Sequence, residues 1–257
     1  MGTNGWVRVD CHLHTVASGD ANLTLEQFAV RARENGLDVV CVTDHNETSA
    51  AVAAAGRDLG VRIVVGEEIR TQDGDVIGLF LTERIPYVLP LAEVVARIRA
   101  QGGLVYVPHP FDQVRSSLGA VLPRLCEQGD VDVIEVFNAK IADQALNDQA
   151  AALAAAYGLP GAAGSDAHDQ DGVGAAYLEM PAFDGPEGFL AGLPQAKITG
   201  EYRPHAVRYP RRVLPSLAEA VQALRGCCQA PLMHDADQRR QHRPRDPLVA
   251  LVLQAVE

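Results

Sequence analysis

Six short segments of this 257-residue chain set histidines and acids directly after apolar, strand-like runs. They are Asp10-Cys11-His12-Leu13-His14-Thr15, followed by Asp20; Thr43-Asp44-His45-Asn46; Gly66-Glu67-Glu68; Val107-Pro108-His109-Pro110; Ile134-Glu135-Val136-Phe137-Asn138; and Gly164-Ser165-Asp166-Ala167-His168. Imidazole nitrogens and carboxylate oxygens are the ligands of divalent first-row metals, so the chemistry in view is metal binding. If the first strand continues through its cluster, His12 and His14 point to one side and both reach a single ion. Two prolines hold the backbone around His109. Glu135, an acid inside an apolar strand, needs a cation or a hydrogen-bond donor once buried. Taken alone, His45 is more often a turn residue than a ligand, and Glu67-Glu68 reads equally as a solvated loop. The metal reading comes from six separate strand ends that all carry ligand-type residues.

These segments need a frame that gathers strand ends. Short Val/Ile-rich runs at 6–11, 38–43, 61–66, 76–82, 103–108, 132–137, 160–164 and 175–180 alternate with helical patterns, the rhythm of βα units around a mainly parallel sheet. Thr24-Leu25-Glu26-Gln27 has the form of a capping box opening a helix that Gly36 closes. Further helices are expected near 48–58, 90–101, 118–128 and 143–157. Parallel α/β folds place their sites at the C-terminal ends of the strands, where the six segments fall.

Hydrophobic residues make up 47% and charged residues 21% of the chain, the balance of a folded globular protein. The start, Met1 to Asp10, reads as neither leader nor anchor, and no apolar run approaches the roughly 18 residues that cross a bilayer. A cytoplasmic protein is expected. Five cysteines, Cys11, Cys41, Cys126, Cys227 and Cys228, make no framework and read as free thiols in a reducing compartment. The net charge of −11 opposes long nucleic acid as a partner. Residues 204–257 hold eight arginines, no lysine and five acids, whereas residues 1–203 are strongly acidic, so a boundary is expected near Pro204. Beyond it lie six prolines, a short helical pattern from Ser216 to Arg225 and an apolar end from Leu248 to Val256. This Pro/Arg-rich extension is either partly disordered or docked, on the domain or on a second copy in a homo-oligomer.

In kind and order, the DCHLHT, VTDHN, VPHP and GSDAH stretches resemble the polymerase and histidinol phosphatase (PHP) family of metal-dependent phosphoesterases. The resemblance covers roughly residues 7 to 200. It implies a distorted (β/α)7 TIM-like barrel over residues 1–203, with metals at the C-terminal strand ends and a short extension after it. By motif it implies one ion on His12, His14, Glu68 and Asp166. A second ion is shared by Glu68 with His109 and Glu135, and a third falls to Asp20, His45 and His168. Glu68 is chosen over Glu67 because the family's acid lies two residues after the glycine. Asp44 stands behind the ligands and orients an imidazole. Many members carry a histidine a few residues after the bridging acid. Asp75 fills that place here, so it either ligates or leaves the second ion weakly held.

Four carboxylates against three divalent ions leave a charge of about +2, enough to attract a phosphate dianion, and ligation by Asp75 lowers it to about +1. The implied activity is hydrolysis of a phosphate ester of a small metabolite or nucleotide by a hydroxide bridging two or three ions of manganese, iron or zinc. The implied catalytic groups are Glu68, His109, Asp166 and His168; Arg115, after His109-Pro110-Phe111, and Lys140, after Asn138, read either as groups that grip the phosphate or as ordinary surface cations. Two rival readings are an amidohydrolase-like C–N hydrolase, since barrels with His-x-His and a late aspartate serve that chemistry too, and a non-catalytic metal-stabilised scaffold.

Overall fold

The computed structural model describes residues 5–141 and 143–203. Its strands are β1 (Trp6–Leu13), β2 (Val39–Val42), β3 (Arg62–Arg70), β4 (Asp75–Leu79), β5 (Leu104–Val107), β6 (Val133–Asn138), β7 (Gly161–Gly164), β8 (Ala176–Pro181) and β9 (Lys197–Gly200). They form one sheet in the order β7-β6-β5-β4-β3-β2-β1-β8-β9. Every expected strand is present within a few residues. β9 was not expected: its sequence, Lys-Ile-Thr-Gly, is exposed along its length and lacks an apolar pattern.

Strands β1, β2, β3, β5, β6 and β7 run the same way, while β4, β8 and β9 are antiparallel to their neighbours. The regular βα alternation breaks at β3–β4, where a tight turn takes the place of a helix. Gly74 sits in that turn at φ 150, with Thr71 Oγ1 donating to its carbonyl. The sheet almost closes on itself after β7. Asp166 N donates to His12 O at 2.7 Å and His14 N to Ala167 O at 2.9 Å, which ties the end of β7 to the end of β1. The result is a distorted, nearly closed α/β barrel.

The helices are α1 (Leu25–Glu34), α2 (Ser49–Ala55), α3 (Leu91–Ala100), α4 (Leu122–Gln128), α5 (Gln144–Tyr157) and α6 (Gly185–Gly192). α1 starts at the expected capping box, with Thr24 and Gln27 satisfying each other's backbone N–H groups. α5 is capped by Asp143 and ends at Gly158, whose φ of 65 is the left-handed conformation glycine adopts freely. The glycine-rich sequence of α6 gave no helical signal. Among the described residues, no helix is long and apolar enough to cross a membrane.

Three apolar clusters hold this frame. One joins Val9, Cys11, Cys41, Val64, Leu79, Tyr106 and Ala162 of the strands with Phe183 and Phe189. A second packs α3, α4 and α5 on the sheet through residues such as Val94, Ile98, Leu122 and Ala150. The third packs α1 and α2 through Phe28, Ala51 and Ala54. Each large side chain buried in this way contributes about 1.5–3 kcal/mol. Cys11 and Cys41 are buried free thiols and Cys126 is a half-buried one. Cys227, Cys228 and the segments expected at Ser216–Arg225 and Leu248–Val256 lie outside the described residues.

Candidate metal centre

β1 delivers the two histidines of its cluster through an irregularity. Its pairing with β2 shifts register between Asp10 and Leu13. Simple alternation would keep Val9, Cys11 and Leu13 on one face. Instead Val9 and Cys11 join the strand-lined cluster, while Leu13 packs with Phe28 and Val42 under the helices. The shift changes which face the His12–His14 pair takes relative to Val9 and Cys11, and both histidines enter the same buried centre. Asp10, fully buried below them, fastens the bend: its Oδ1 accepts from His12 N at 3.3 Å and Ser165 N at 2.9 Å, and its Oδ2 from Gly174 N at 3.3 Å. Burial pushes the Asp10 carboxyl up to about 6 even so.

β3 presents Glu68 on the same face as Val64 and Gly66, and Glu67 on the other. Glu68 Oε1 lies 3.0 Å from His109 Nε2, and its Oε2 lies 3.2 Å from His14 Nε2, 3.1 Å from His45 Nδ1 and 3.4 Å from His12 Nε2. One carboxylate thus touches four imidazoles. Burial alone would raise it, but His45 and His12 hold it well below the usual carboxylate range. Glu67 turns away, accepts from Ile85 N at 2.8 Å and is pushed by burial up to about 7.

His109 and Asp166 both adopt positive φ, 27 and 52, conformations that cost a non-glycine residue about 1–3 kcal/mol. The strained backbone of Asp166 carries its Oδ1 to 3.4 Å from His14 Nε2 and 3.8 Å from His12 Nε2. Gly164 must be glycine for β7 to come this close, because a Cβ there would lie 2.3 Å from His12 Cβ and 2.6 Å from Glu135 Oε1. Arg115 pairs directly with Asp166 Oδ2 and Lys140 Nζ lies 3.8 Å from Oδ1. Against the cost of burial, Arg115, Lys140 and His12 hold the Asp166 carboxyl well below its ordinary value.

Among the described residues, three sets of side chains can each share one ion, all their donor atoms lying within 4.8 Å of one another: His12, His14 and Asp166; His12, Glu68 and His109; and His14, His45 and His168. Asp20 flanks the last set, with Oδ2 3.5 Å from His45 Nε2 and Oδ1 3.8 Å from His168 Nε2. Despite partial burial, His45 and its neighbours bring Asp20 down to about 2. Glu68 and Asp20 outweigh burial at His45 and carry it to about 10, whereas burial and the facing His14 push His168 down to about 2.

Two expected ligands stand differently. Glu135 has both oxygens engaged, Oε1 by His12 Nδ1 at 3.1 Å and Tyr106 Oη at 2.9 Å, and Oε2 by His109 N at 2.7 Å and Asn138 Nδ2 at 2.9 Å. It stands behind two histidines and belongs to none of the three sets. Asp75 has both oxygens on the Arg70 guanidinium and also belongs to none. Burial and the nearby Glu68 raise its carboxyl. Asp44 touches no imidazole directly; the Ser18 hydroxyl lies between it and His14.

Ser18, Asp10, Tyr106, Asn138 and Arg70 escaped the sequence reading. Asp10 had the signal used for Glu135, an acid in an apolar strand. The others carry no such signal: Tyr106 and Ser18 reach Glu135 and Asp44 from distant segments, and although Arg70 and Asn138 bond acids only five and three positions away, the fold decides which partner each takes.

The donor set fits divalent ions on a specific observation. Glu135 accepts at His12 Nδ1, and Ser18 faces His14 Nδ1, so both Nε2 atoms turn inward, where they lie 3.0 Å apart. Two nitrogen lone pairs at that separation repel unless a proton or a cation lies between them. His109 Nδ1, buried without a hydrogen-bond partner, adds a further unused donor atom. A cavity of about 380 Å³ opens above these groups, rimmed by Arg70, Asp75, Val114, Arg115, Ser116 and Lys140.

The PHP domain family model matches residues 10–158, and a PHP-associated model matches residues 144–198. An uncharacterised protein of Methanocaldococcus jannaschii is 37% identical over 180 residues, 68% of this chain and 70% of its own. A protein of Vibrio campbellii named a probable phosphatase is 55% identical over 42 residues, 16% of this chain and 17% of its own. Among solved structures, a two-domain protein from Bacteroides vulgatus containing a predicted PHP-like metal-dependent phosphoesterase superposes with a TM-score of 0.62 at 17% identity. That match covers 76% of this chain and 65% of the other.

Proposed function

This chain belongs to the PHP family, and from that premise we propose that it is a metal-dependent phosphoesterase acting on a small phosphorylated metabolite or nucleotide. The observation that carries the reading is the inward-facing pair of Nε2 atoms of His12 and His14, beside the carboxylates of Glu68 and Asp166. That arrangement is built to hold positive charge. Divalent cations bound there supply Lewis acidity to phosphoryl oxygens and acidify water.

The chain's own groups do the rest. His12, His14 and Asp166 form one binding set, Glu68 and His109 extend it, and His45, His168 and Asp20 form the outermost one. Glu68 reaches toward both sides, so it suits a bridging role. Arg115 and Lys140 flank Asp166 at the cavity rim and provide fixed positive charge for the phosphate oxygens. No serine or cysteine nucleophile lies among the cavity's charged groups apart from Ser116, whose backbone carbonyl accepts from Asp75 N. The cavity suits a small ester, and the acidic body opposes a long polyanion.

The deciding experiment is elemental analysis of the purified full chain, joined to a phosphate-release screen over phosphorylated metabolites and parallel panels of amides and lactones. Bound manganese, iron or zinc together with phosphate release supports the proposal. Amide or lactone cleavage without phosphate release would transfer the site to C–N or lactone hydrolysis, and metal with no turnover at all would make it a scaffold.

A further inference from the structure

We infer that Ser18 is a positioning residue that sets the tautomer of His14, relaying the acceptor character of Asp44 to an imidazole that Asp44 itself does not touch. The inference rests on the metal reading above for its consequence, though not for its geometry.

Ser18 closes the short 3-10 turn after β1 and is buried. Its Oγ has three partners: Asp44 Oδ1 at 2.7 Å, His14 Nδ1 at 2.9 Å and the backbone N of His45 at 3.0 Å. A hydroxyl owns one proton and two lone pairs. The His45 N–H can only donate, so it takes one lone pair. Asp44 is already an acceptor twice over for Thr15, from its backbone N at 2.6 Å and its hydroxyl at 2.7 Å. The Ser18 proton therefore goes to Asp44. One lone pair of Ser18 remains for His14, so His14 Nδ1 must carry a proton and His14 Nε2 must present its lone pair inward.

The same hydroxyl thus does two things for one binding set. It fixes which nitrogen of His14 is available, and it anchors the main chain of His45, whose ring centroid lies 4.4 Å from that of His14. Asp44 acts as an acceptor at one atom: its Oδ1 takes both Thr15 N and the Ser18 hydroxyl, so an amide that keeps its oxygen at that position keeps the chain of bonds and the tautomer. The logic matches that of a buried aspartate holding a catalytic histidine in its working tautomer.

The test reads the nitrogen atoms directly. Histidine ¹⁵N shifts are recorded on the full chain after chelator treatment, above about pH 8, where an imidazole is ordinarily neutral, for the wild type, Ser18→Ala, Ser18→Thr and Asp44→Asn. Zn²⁺ affinity is measured on the same samples by competition, and thermal melts verify folding. The wild type and Ser18→Thr should show His14 protonated at Nδ1. Ser18→Ala should show a mixture of tautomers and bind Zn²⁺ roughly 10–100-fold more weakly, and Asp44→Asn, whose amide oxygen takes the Oδ1 position, should keep the proton at Nδ1. A wild-type His14 protonated at Nε2 overturns the inference without any variant, as does a Ser18→Ala chain with unchanged tautomer and affinity. If the tautomer follows Ser18 while the wild type binds no Zn²⁺, the positioning role stands and the metal reading fails.

Discussion

His12 Nε2 and His14 Nε2 face each other across 3.0 Å, each ring held from behind, His12 by Glu135 and His14 by Ser18. Two side chains from one strand are thereby turned into a pair of inward donors whose mutual repulsion only positive charge can relieve. In the chain without metal a proton does this: Asp166, Glu135 and Glu68 outweigh burial and raise His12 well above the ordinary imidazole value. Binding a cation exchanges that proton for an ion.

Loss of either inner group removes the centre while leaving the barrel intact. His12→Ala and Asp166→Ala should each lower phosphate release by about 10³-fold, corresponding to about 4 kcal/mol of transition-state stabilisation. Circular dichroism should show an unchanged fold. Wild-type turnover in either variant would remove these residues from the reaction.

Chelator treatment should abolish activity and readdition of Mn²⁺ or Zn²⁺ restore it. Because only the folded chain presents the full set of ligands, the melting temperature should also rise with free metal concentration. Full turnover after verified removal of metal would defeat the mechanism.

Arg115→Met should lower kcat/KM by about 10–100-fold, since a hydrogen bond to a charged group is worth about 1.5–3 kcal/mol. Bound metal should stay at the wild-type level, which separates a role in gripping phosphate from one in holding Asp166. A fall in metal content would assign Arg115 to the support of its carboxylate partner.

Asp75 is held by Arg70 on both oxygens. Asp75→Asn should therefore leave the metal content of the chain unchanged and cost at most about 1 kcal/mol of stability, as expected for a pair whose arginine is largely exposed. Loss of one equivalent of metal in that variant would return Asp75 to the ligand set.

Glu67 supplies a pH signature away from the metal. Burial raises its carboxyl from an ordinary 4.5 to about 7, so the folded chain favours the neutral acid. Relative to Glu67→Gln, the wild type should be most stable below pH 4.5, lose stability as pH rises toward 7, and level off above that. The total change is on the order of 3 kcal/mol. Denaturant titrations of both chains across pH 4 to 8 measure it, and a difference independent of pH would show that the acid is not buried in its neutral form.

The sequence by itself determined the ligand chemistry and all the elements but β9 and α6. Apolar runs and capping residues specify strands and helices through local periodicity, and Thr24 with Gln27 or Asp143 with Gly158 need only their own neighbourhood to act. Histidines and acids after those runs announce a centre because sheets of this kind collect strand ends. The tertiary structure decided which atoms face which. The register shift in β1 changes which face the His12–His14 pair takes relative to Val9 and Cys11. The ring Nδ1 of His12 and the backbone N of His109 engage Glu135 on the side away from the open cavity. Arg70 claims Asp75, and a serine stands between Asp44 and His14. Several of these choices depend on hydrogen-bond partners far apart in the chain, 164 positions in the case of Asp10 and Gly174. No local pattern encodes them, since a buried donor or acceptor is satisfied by whatever the completed barrel brings within about 3 Å.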